Sequence, residues 1–261
     1  IRRAVDQLAA ALAGRTARRV EFAFPRLQPH ESALSGRRIR DVEARGKAVL
    51  VRFAGGWNIY SHNQLYGRWF VRPAGKPPRT RRSLRLAIHT RDRSALLYSA
   101  SDISILTPEQ LETHPFLARL GPDVLDDDLQ ADTIARRLDQ DRFRRRSLAA
   151  LYLDQSFLAG LGNYLRSEIL FGAGLHPASR PSELEPKDRK RLARETLRMC
   201  HRSYRTGGKT LTPGPGRGKA DRFWVFARAS RRCYDCGARI RRENFSGRRL
   251  YFCPACQERT P

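Results

Sequence analysis

The tightest constraint on this chain lies near its end, where "CYDCGARIRRENFSGRRLYFCPAC" sets Cys233 and Cys236 against Cys253 and Cys256. Four thiolates in a Cys-x2-Cys-x16-Cys-x2-Cys pattern suit a tetrahedral zinc cage. The residues between the pairs must then double back, and they read as a β-hairpin turning near Ser246-Gly247. Protein occupies every coordination position, so this zinc is structural, with no open site for chemistry. The fifth cysteine, Cys200, follows apolar-periodic Leu192 and Leu197 and reads as a buried thiol. An odd count with paired spacing fits a metal in a reducing compartment better than a disulfide framework.

Charge sets the second constraint. The 261 residues hold 51 Lys+Arg and 26 Asp+Glu, a net +25. Such an excess repels itself in a compact state, and a polyanionic partner bound in a salt-dependent way is its simplest reason. No apolar run reaches the length of a membrane span, and no signal-peptide pattern opens the chain. Met199 is the only methionine, so residues are expected ahead of Ile1.

Organisation follows the hydrophobic periods. "IRRAVDQLAAALAG" places Ile1, Val5, Leu8 and Leu12 on one helical face and stops at Gly14. Short alternating runs follow, "RRVEFAFP", "RRIRDVEARG", "KAVLVRFAGGWNIYSHN" and "SLRLAIHTRDRSALLYSA", with connections at 54–56 and 91–93. Helical spacing then appears over 132–140, 147–157, 163–172 and 182–203, with Asp132 and Ser147 as N-caps. A Gly/Pro/Lys-rich stretch over 205–221 reads as a mobile loop ahead of the cysteine module. The expected class is α+β in two domains: an antiparallel β-sandwich with a leading helix (1–112), a linker (113–126), a helical domain (127–222) and a zinc hairpin (223–261).

Three further stretches are open to two readings each. In "DQSFLAGLGNYLRSEILFGAGL", Asn163 stands where a helix begins, as a phosphate ligand or as an ordinary cap after a glycine turn. In "SHNQLYGRW", Gln64, Leu65 and Tyr66 form either a wedge for a base stack or a hairpin tip packed on its own sheet. In "EARGKAVL", Lys47 begins an apolar strand, where a lysine is ordinarily just solvated.

Taken in order, "RGKAVL", "SHNQLYG", "YSASDI", "HPFLARLGPDVL", "FLAGLGNYLRSEIL" and "SGRRLYFCPAC" resemble the formamidopyrimidine-DNA glycosylase/endonuclease VIII family over essentially the whole chain. The turn "QLYG" is similar to the branch acting on oxidised pyrimidines. The resemblance implies a β-sandwich, a helix–two-turn–helix domain and a zinc finger. It implies a base-excision glycosylase with AP lyase activity by β,δ-elimination, working as a monomer on damaged or abasic duplex DNA in the bacterial cytoplasm, nucleoid-associated in use. One zinc and no organic cofactor are implied. By the same resemblance Lys47 works near the sugar, Gln64, Leu65 and Tyr66 enter the duplex, Asn163 and Arg119 contact DNA, and Arg248 binds lesion phosphates. Arg249, where relatives often carry proline, is left with generic backbone contact. The family's nucleophilic proline and acidic glutamate are expected just before Ile1. Two alternatives stand beside this reading: the purine-directed branch acting on 8-oxoguanine, and a non-catalytic zinc-ribbon nucleic-acid binder.

Overall fold

Val5, Leu8 and Leu12 are buried along one face of α1 (Arg2–Leu12), and Gly14, at φ +76°, turns the chain out of the helix. The computed structural model describes residues 1–214, 217–218 and 220–259. The chain divides into two units, Ile1–Arg119 and Leu120 onward.

In the first unit, strands β1 (Arg19–Phe22), β2 (Ile39–Arg45), β3 (Ala48–Phe53), β4 (Asn58–His62), β5 (Arg68–Pro73), β6 (Leu84–His89), β7 (Arg93–Tyr98) and β8 (Asp102–Leu106) form two antiparallel sheets. Their orders are β1-β6-β7-β5 and β2-β3-β4-β8. Short helices α2 (Glu31–Leu34) and α3 (Pro108–Glu112) complete the unit. Strand alternation sends Val49, Val51 and Phe53 into the core shared with Val20, Leu86 and Leu97 of the other sheet. The opposite face of β3 is also covered, because Ala48 and Leu50 pack with Tyr60, Leu111, Phe116 and Leu117. That double burial explains the unbroken apolar run "AVLV".

The second unit holds α4 (Ala131–Leu138), α5 (Asp141–Arg144), α6 (Leu148–Leu151), α7 (Asn163–Gly172), α8 (Pro186–Arg205) and the hairpin β9 (Arg241–Phe245) and β10 (Arg248–Phe252). Its core joins Ile134, Phe143, Phe157, Ile169, Leu192 and Met199 to Leu250 and Phe252 of the hairpin. Among the described residues no helix is long and apolar enough to cross a membrane.

Several local expectations need correction. Strands β5 and β8 lie outside the runs read as strands. Asp132 is not a cap: α4 starts after Gln130 with no side-chain cap, whereas Ser147 does accept the Ala150 N–H at 3.3 Å. The helical period over 147–157 yields only α6, since Asp154 and Gln155 take backbone N–H groups of Ser156 and Gly160 at 2.8 and 3.1 Å. Residues 113–126 are packed rather than spanning: Phe116 and Leu117 belong to the first unit, and Val124 lies in the second unit's core. The stretch 205–221 opens as the end of α8 and continues through Thr210 and Leu211, both buried. Pro215, Gly216 and Lys219 of that stretch lie outside the described residues.

Candidate nucleic-acid interface and metal centre

In the first unit, the two-residue connection Gly46-Lys47 joins β2 to β3, with Arg45 paired to Ala48 and Gly46 at φ +59°. Lys47 therefore sits in the hairpin turn, half-buried, one residue before the strand it was expected to begin. Register places His62 opposite both Ala48 and Asp102. Burial lowers the His62 pKa, Asp102 opposes that shift and Lys47 reinforces it. Burial also raises the Tyr60 phenol, helped by the charge of Asp102 and a hydrogen bond to it. The Tyr60 ring lies tilted against His114 with ring centres 4.5 Å apart, and His62 meets Phe116 edge-on at 5.4 Å. Lys47 thus belongs to a compact set of titratable side chains, which its position in the sequence alone did not reveal.

Gln64, Leu65 and Tyr66 follow directly. They do not form a hairpin tip, because β4 and β5 belong to different sheets and the turn is a crossing between them. Leu65 and Tyr66 are 75% and 70% exposed, the two most exposed large apolar side chains among the described residues. Gly67 N–H donates to Asn63 O at 2.7 Å, Ser101 Oγ donates to Gln64 Oε1 at 2.7 Å, and an Arg82 guanidinium N–H donates to Tyr66 O. A Cβ on Gly67 would stand 2.6 Å from Asn63 O and 2.7 Å from its Cα, so only glycine closes this turn. The apolar tips stay in water while the backbone beneath them is fixed. Arg119, on the short 3-10 turn Leu117–Arg119, is exposed and donates its Nε–H to Pro115 O at 2.9 Å.

In the second unit, Asn163 opens α7 after Gly162, and its side chain makes two hydrogen bonds while leaving one amide N–H uncommitted to them. Its Nδ2 donates to Arg249 O at 2.8 Å, and its Oδ1 accepts from Arg166 Nη2 at 2.6 Å. Arg166 is buried and was missed from the sequence. Its Nη1 donates to Ala149 O at 2.9 Å and Phe245 O at 3.4 Å, and its Nη2 reaches the Arg248 and Arg249 carbonyls at 3.4 Å each. Burial first, and the charge of Arg248 second, bring the Arg166 pKa down to about 10. Arg248 itself is exposed at the start of β10, just past the Ser246-Gly247 turn, whose residues sit at φ +51° and +73°. Those angles are the signature of a two-residue hairpin turn that matches strand twist, as the sequence predicts.

Two more buried polar groups tie the module down. The Glu168 carboxylate accepts from the backbone N–H groups of Trp224 at 2.8 Å and of Val225 and Phe226 at 2.9 Å, and from the Thr210 hydroxyl. Gln257 accepts from Cys253 N–H at 2.9 Å and donates to Leu175 O at 2.8 Å. A signal for the α7 pair was present, since Arg166 and Glu168 interrupt an otherwise apolar helix between Leu165 and Ile169.

The Sγ atoms of Cys233, Cys236, Cys253 and Cys256 all lie within 4.8 Å of one another, with 3.9 Å between Cys233 and Cys256 and 3.4 Å between Cys236 and Cys253. Metal–sulfur bonds of about 2.3 Å place tetrahedral corners roughly 3.8 Å apart, so the four thiols fit one metal ion. No further His/Cys/Asp/Glu cluster of that kind occurs among the described residues.

Residues 1–101 match the formamidopyrimidine-DNA glycosylase N-terminal domain, and residues 120–213 match the formamidopyrimidine-DNA glycosylase H2TH domain. The chain is 49% identical over 257 residues to Endonuclease 8 of Pectobacterium atrosepticum and 48% to that of Escherichia coli, with 98% of this chain and 97% of each relative covered. Among solved structures, Lactococcus lactis Fpg bound to abasic-site DNA superposes with a TM-score of 0.82 at 20% identity, covering 98% of this chain and 97% of that one. A Lactococcus lactis Fpg mutant bound to Fapy-dG DNA gives 0.80 at 19%, with the same coverage. Fold and site together define a DNA-repair glycosylase of the H2TH class. More narrowly, the chain belongs to the formamidopyrimidine-DNA glycosylase/endonuclease VIII family, and it is a base-excision-repair DNA glycosylase and AP lyase.

Proposed function

We propose that this enzyme removes oxidised pyrimidines from duplex DNA and then cleaves the abasic strand by β,δ-elimination. The observation that carries the reading is the Leu65-Tyr66 turn, whose apolar tips project into water from a backbone locked by Gly67, Ser101 and Arg82. An apolar pair held out of a +25 protein suits the gap that a flipped nucleotide leaves. Extrusion costs a few kcal/mol, less where damage has already weakened stacking, which supplies part of the selectivity.

Each unit contributes cations to the chemistry. In the first, Lys47 is the lysine that works near the sugar, and Arg119 grips DNA. In the second, Asn163 and Arg248 hold the phosphates beside the lesion. By the family resemblance the nucleophile is an N-terminal proline, with an acidic glutamate next to it. An α-amine titrates near pH 8 (about two units below lysine), so a sizeable neutral fraction is available to attack C1′. The amine nitrogen bonds to C1′ as the C1′–base bond breaks and the base leaves with a proton. The C1′–O4′ bond then opens, its oxygen taking the proton shed by the amine, to give an iminium, and loss of a C2′ proton expels the 3′-phosphate. A second elimination then releases the 5′-phosphate. Arg248 offsets charge on the departing phosphates, a task suited to a guanidinium fork.

Zinc is the metal proposed for the four thiolates, with a structural role only: it holds the β9–β10 hairpin and thereby Arg248. The enzyme works as a monomer in the bacterial cytoplasm. The 48–49% identity to Endonuclease 8 supports the pyrimidine-directed branch over the purine-directed one, since the Fpg likeness at 19–20% is one of fold. Borohydride trapping of the full-length protein on an abasic duplex is the deciding experiment. A covalent adduct is expected, and its absence would return the protein to the class of zinc-ribbon binders. Faster release of thymine glycol than of 8-oxoguanine is expected, and the reverse order would move it to the sister branch.

A further inference from the structure

The backbone of the Leu65-Tyr66 turn depends on a contact that the glycosylase reading does not use. Gln64 sits at φ +50°, in the left-handed region, where a residue bearing a Cβ is disfavoured. Its amide N–H points to the His62 ring, with 3.1 Å to Nδ1. An imidazole nitrogen accepts a hydrogen bond only when it carries no proton, so His62 in this arrangement is neutral and protonated at Nε2. Its surroundings agree. The ring lies edge-on to Phe116 and half-buried, and the same burial that lowers its pKa keeps it uncharged, with Lys47 adding to that effect and Asp102 opposing it.

We propose that His62 is a positioning residue for the wedge: its Nδ1 holds the Gln64 amide and so sets the direction in which Leu65 and Tyr66 leave the sheet. This rests on the wedge reading of Leu65 and Tyr66 given above. The geometry around the turn supports it. The Gln64 side chain is held by Ser101, Gly67 is bonded to Asn63, and the Tyr66 carbonyl is held by Arg82. The Gln64 N–H is the donor nearest the tip's entry, and His62 is the group that receives it. His62 also ends β4, paired to Ala48 and Asp102 on either side, so the acceptor is anchored in the middle of a sheet. A side chain accepting the N–H two residues ahead is the arrangement that Asx turns make with a carbonyl oxygen.

That equivalence supplies the test. Asparagine places its Oδ1 where Nδ1 of histidine lies, whereas glutamine places its polar atoms near Nε2. His62→Asn, His62→Gln and His62→Ala would be compared in the full chain. The probe is a duplex carrying a tetrahydrofuran abasic analogue opposite 2-aminopurine, together with the lesion strand alone. Neither readout needs strand cleavage. His62→Asn is expected to bind the duplex within about threefold of the parent and keep the fluorescence rise, while His62→Gln and His62→Ala bind about tenfold more weakly and lose it. Single-strand affinity should change by less than about twofold in all three. Glutamine performing as well as asparagine, or losses equal on duplex and single strand, would overturn the proposal and point to a role through Nε2 or to general destabilisation. Leu65→Gly separates the two readings. If it keeps the fluorescence rise, the wedge reading itself fails. If it abolishes the rise while asparagine and glutamine at 62 behave alike, the wedge stands and the role of His62 falls.

Discussion

Arg166 Nη2 donates to Asn163 Oδ1 at 2.6 Å, and both side chains then donate to one acceptor, the Arg249 carbonyl, at 3.4 and 2.8 Å. The first residues of α7 and the strand that carries Arg248 are therefore fixed by one buried guanidinium. Arg166→Met fills most of the volume but takes away the 2.9 Å donor of the Ala149 carbonyl and the 2.6 Å donor of Asn163 Oδ1. It should cost about 2–4 kcal/mol, less any relief from no longer burying a charge. Arg166→Lys should restore little, because an ammonium cannot span acceptors that the guanidinium fork bridges. Denaturant unfolding with hydrogen exchange at Phe245–Arg249 checks this, and unchanged exchange in Arg166→Met would refute the clamp.

Arg248 offers the contrasting case, since its side chain is exposed and its loss should leave stability within about 0.5 kcal/mol of the parent. Arg248→Ala should nonetheless weaken binding to abasic-site duplex, and the slope of log affinity against log salt should flatten by about one unit. Strand cleavage should fall at least as far as binding. A salt slope equal to that of the parent would remove Arg248 from the phosphate contacts.

Metal loss should resemble the Arg166 defect rather than a catalytic one. Cys253→Ser breaks a closed four-thiolate set whose Sγ partner Cys236 lies 3.4 Å away. Zinc content measured on the purified protein should drop from about one equivalent to near none, and the hairpin amides should lose exchange protection. A variant that sheds the metal yet keeps full cleavage would contradict a hairpin that depends on it.

Much of this was legible in the chain, and the exceptions share a cause. Cysteine spacing located the four-thiol cluster, and Ser246-Gly247 located its turn, because both are local patterns. Arg166 escaped because arginine in a helix ordinarily marks a solvated face. It is buried here by a hairpin that arrives 79 to 83 residues later in the chain. Leu65 and Tyr66 were recognisable as a turn, but whether they face sheet or water depends on β4 and β5 joining different sheets. The helix read over 147–157 failed for a local reason: Asp154 and Gln155 offer their own side chains to the backbone.

That turn also has a pH signature. Burial alone would raise the Asp154 carboxyl. The hydrogen bond from Arg146 and those from the Ser156 hydroxyl and N–H outweigh it and hold the group below the ordinary 3.8. A depressed folded pKa contributes stability that is present above the unfolded value and lost as pH falls through the folded one. Asp154→Asn should therefore cost about 1 kcal/mol near pH 7, where solvent screens part of the ion pair. The gap to the parent should narrow as pH falls below 3.8. A difference that stays constant from pH 7 to pH 3 would mean the carboxylate charge is not what holds the turn.

Gly67→Ala probes the wedge from its base. The glycine has an ordinary backbone angle, so the obstacle is steric: the new methyl would meet Asn63 O at 2.6 Å, its Cα at 2.7 Å and its C at 3.0 Å. All three are backbone atoms and cannot swing aside as a flexible side chain would. The Gly67–Asn63 hydrogen bond must lengthen or break, at a local cost of about 1–3 kcal/mol. Val49, Val51 and Phe53 lie in a core that does not include this turn, so global unfolding should shift little. Binding to an abasic duplex should weaken by about tenfold while single-strand binding changes by less than about threefold. Equal losses on the two substrates, or a large drop in melting temperature, would show that Gly67 serves the sheet crossing as a whole rather than the projection of Leu65 and Tyr66.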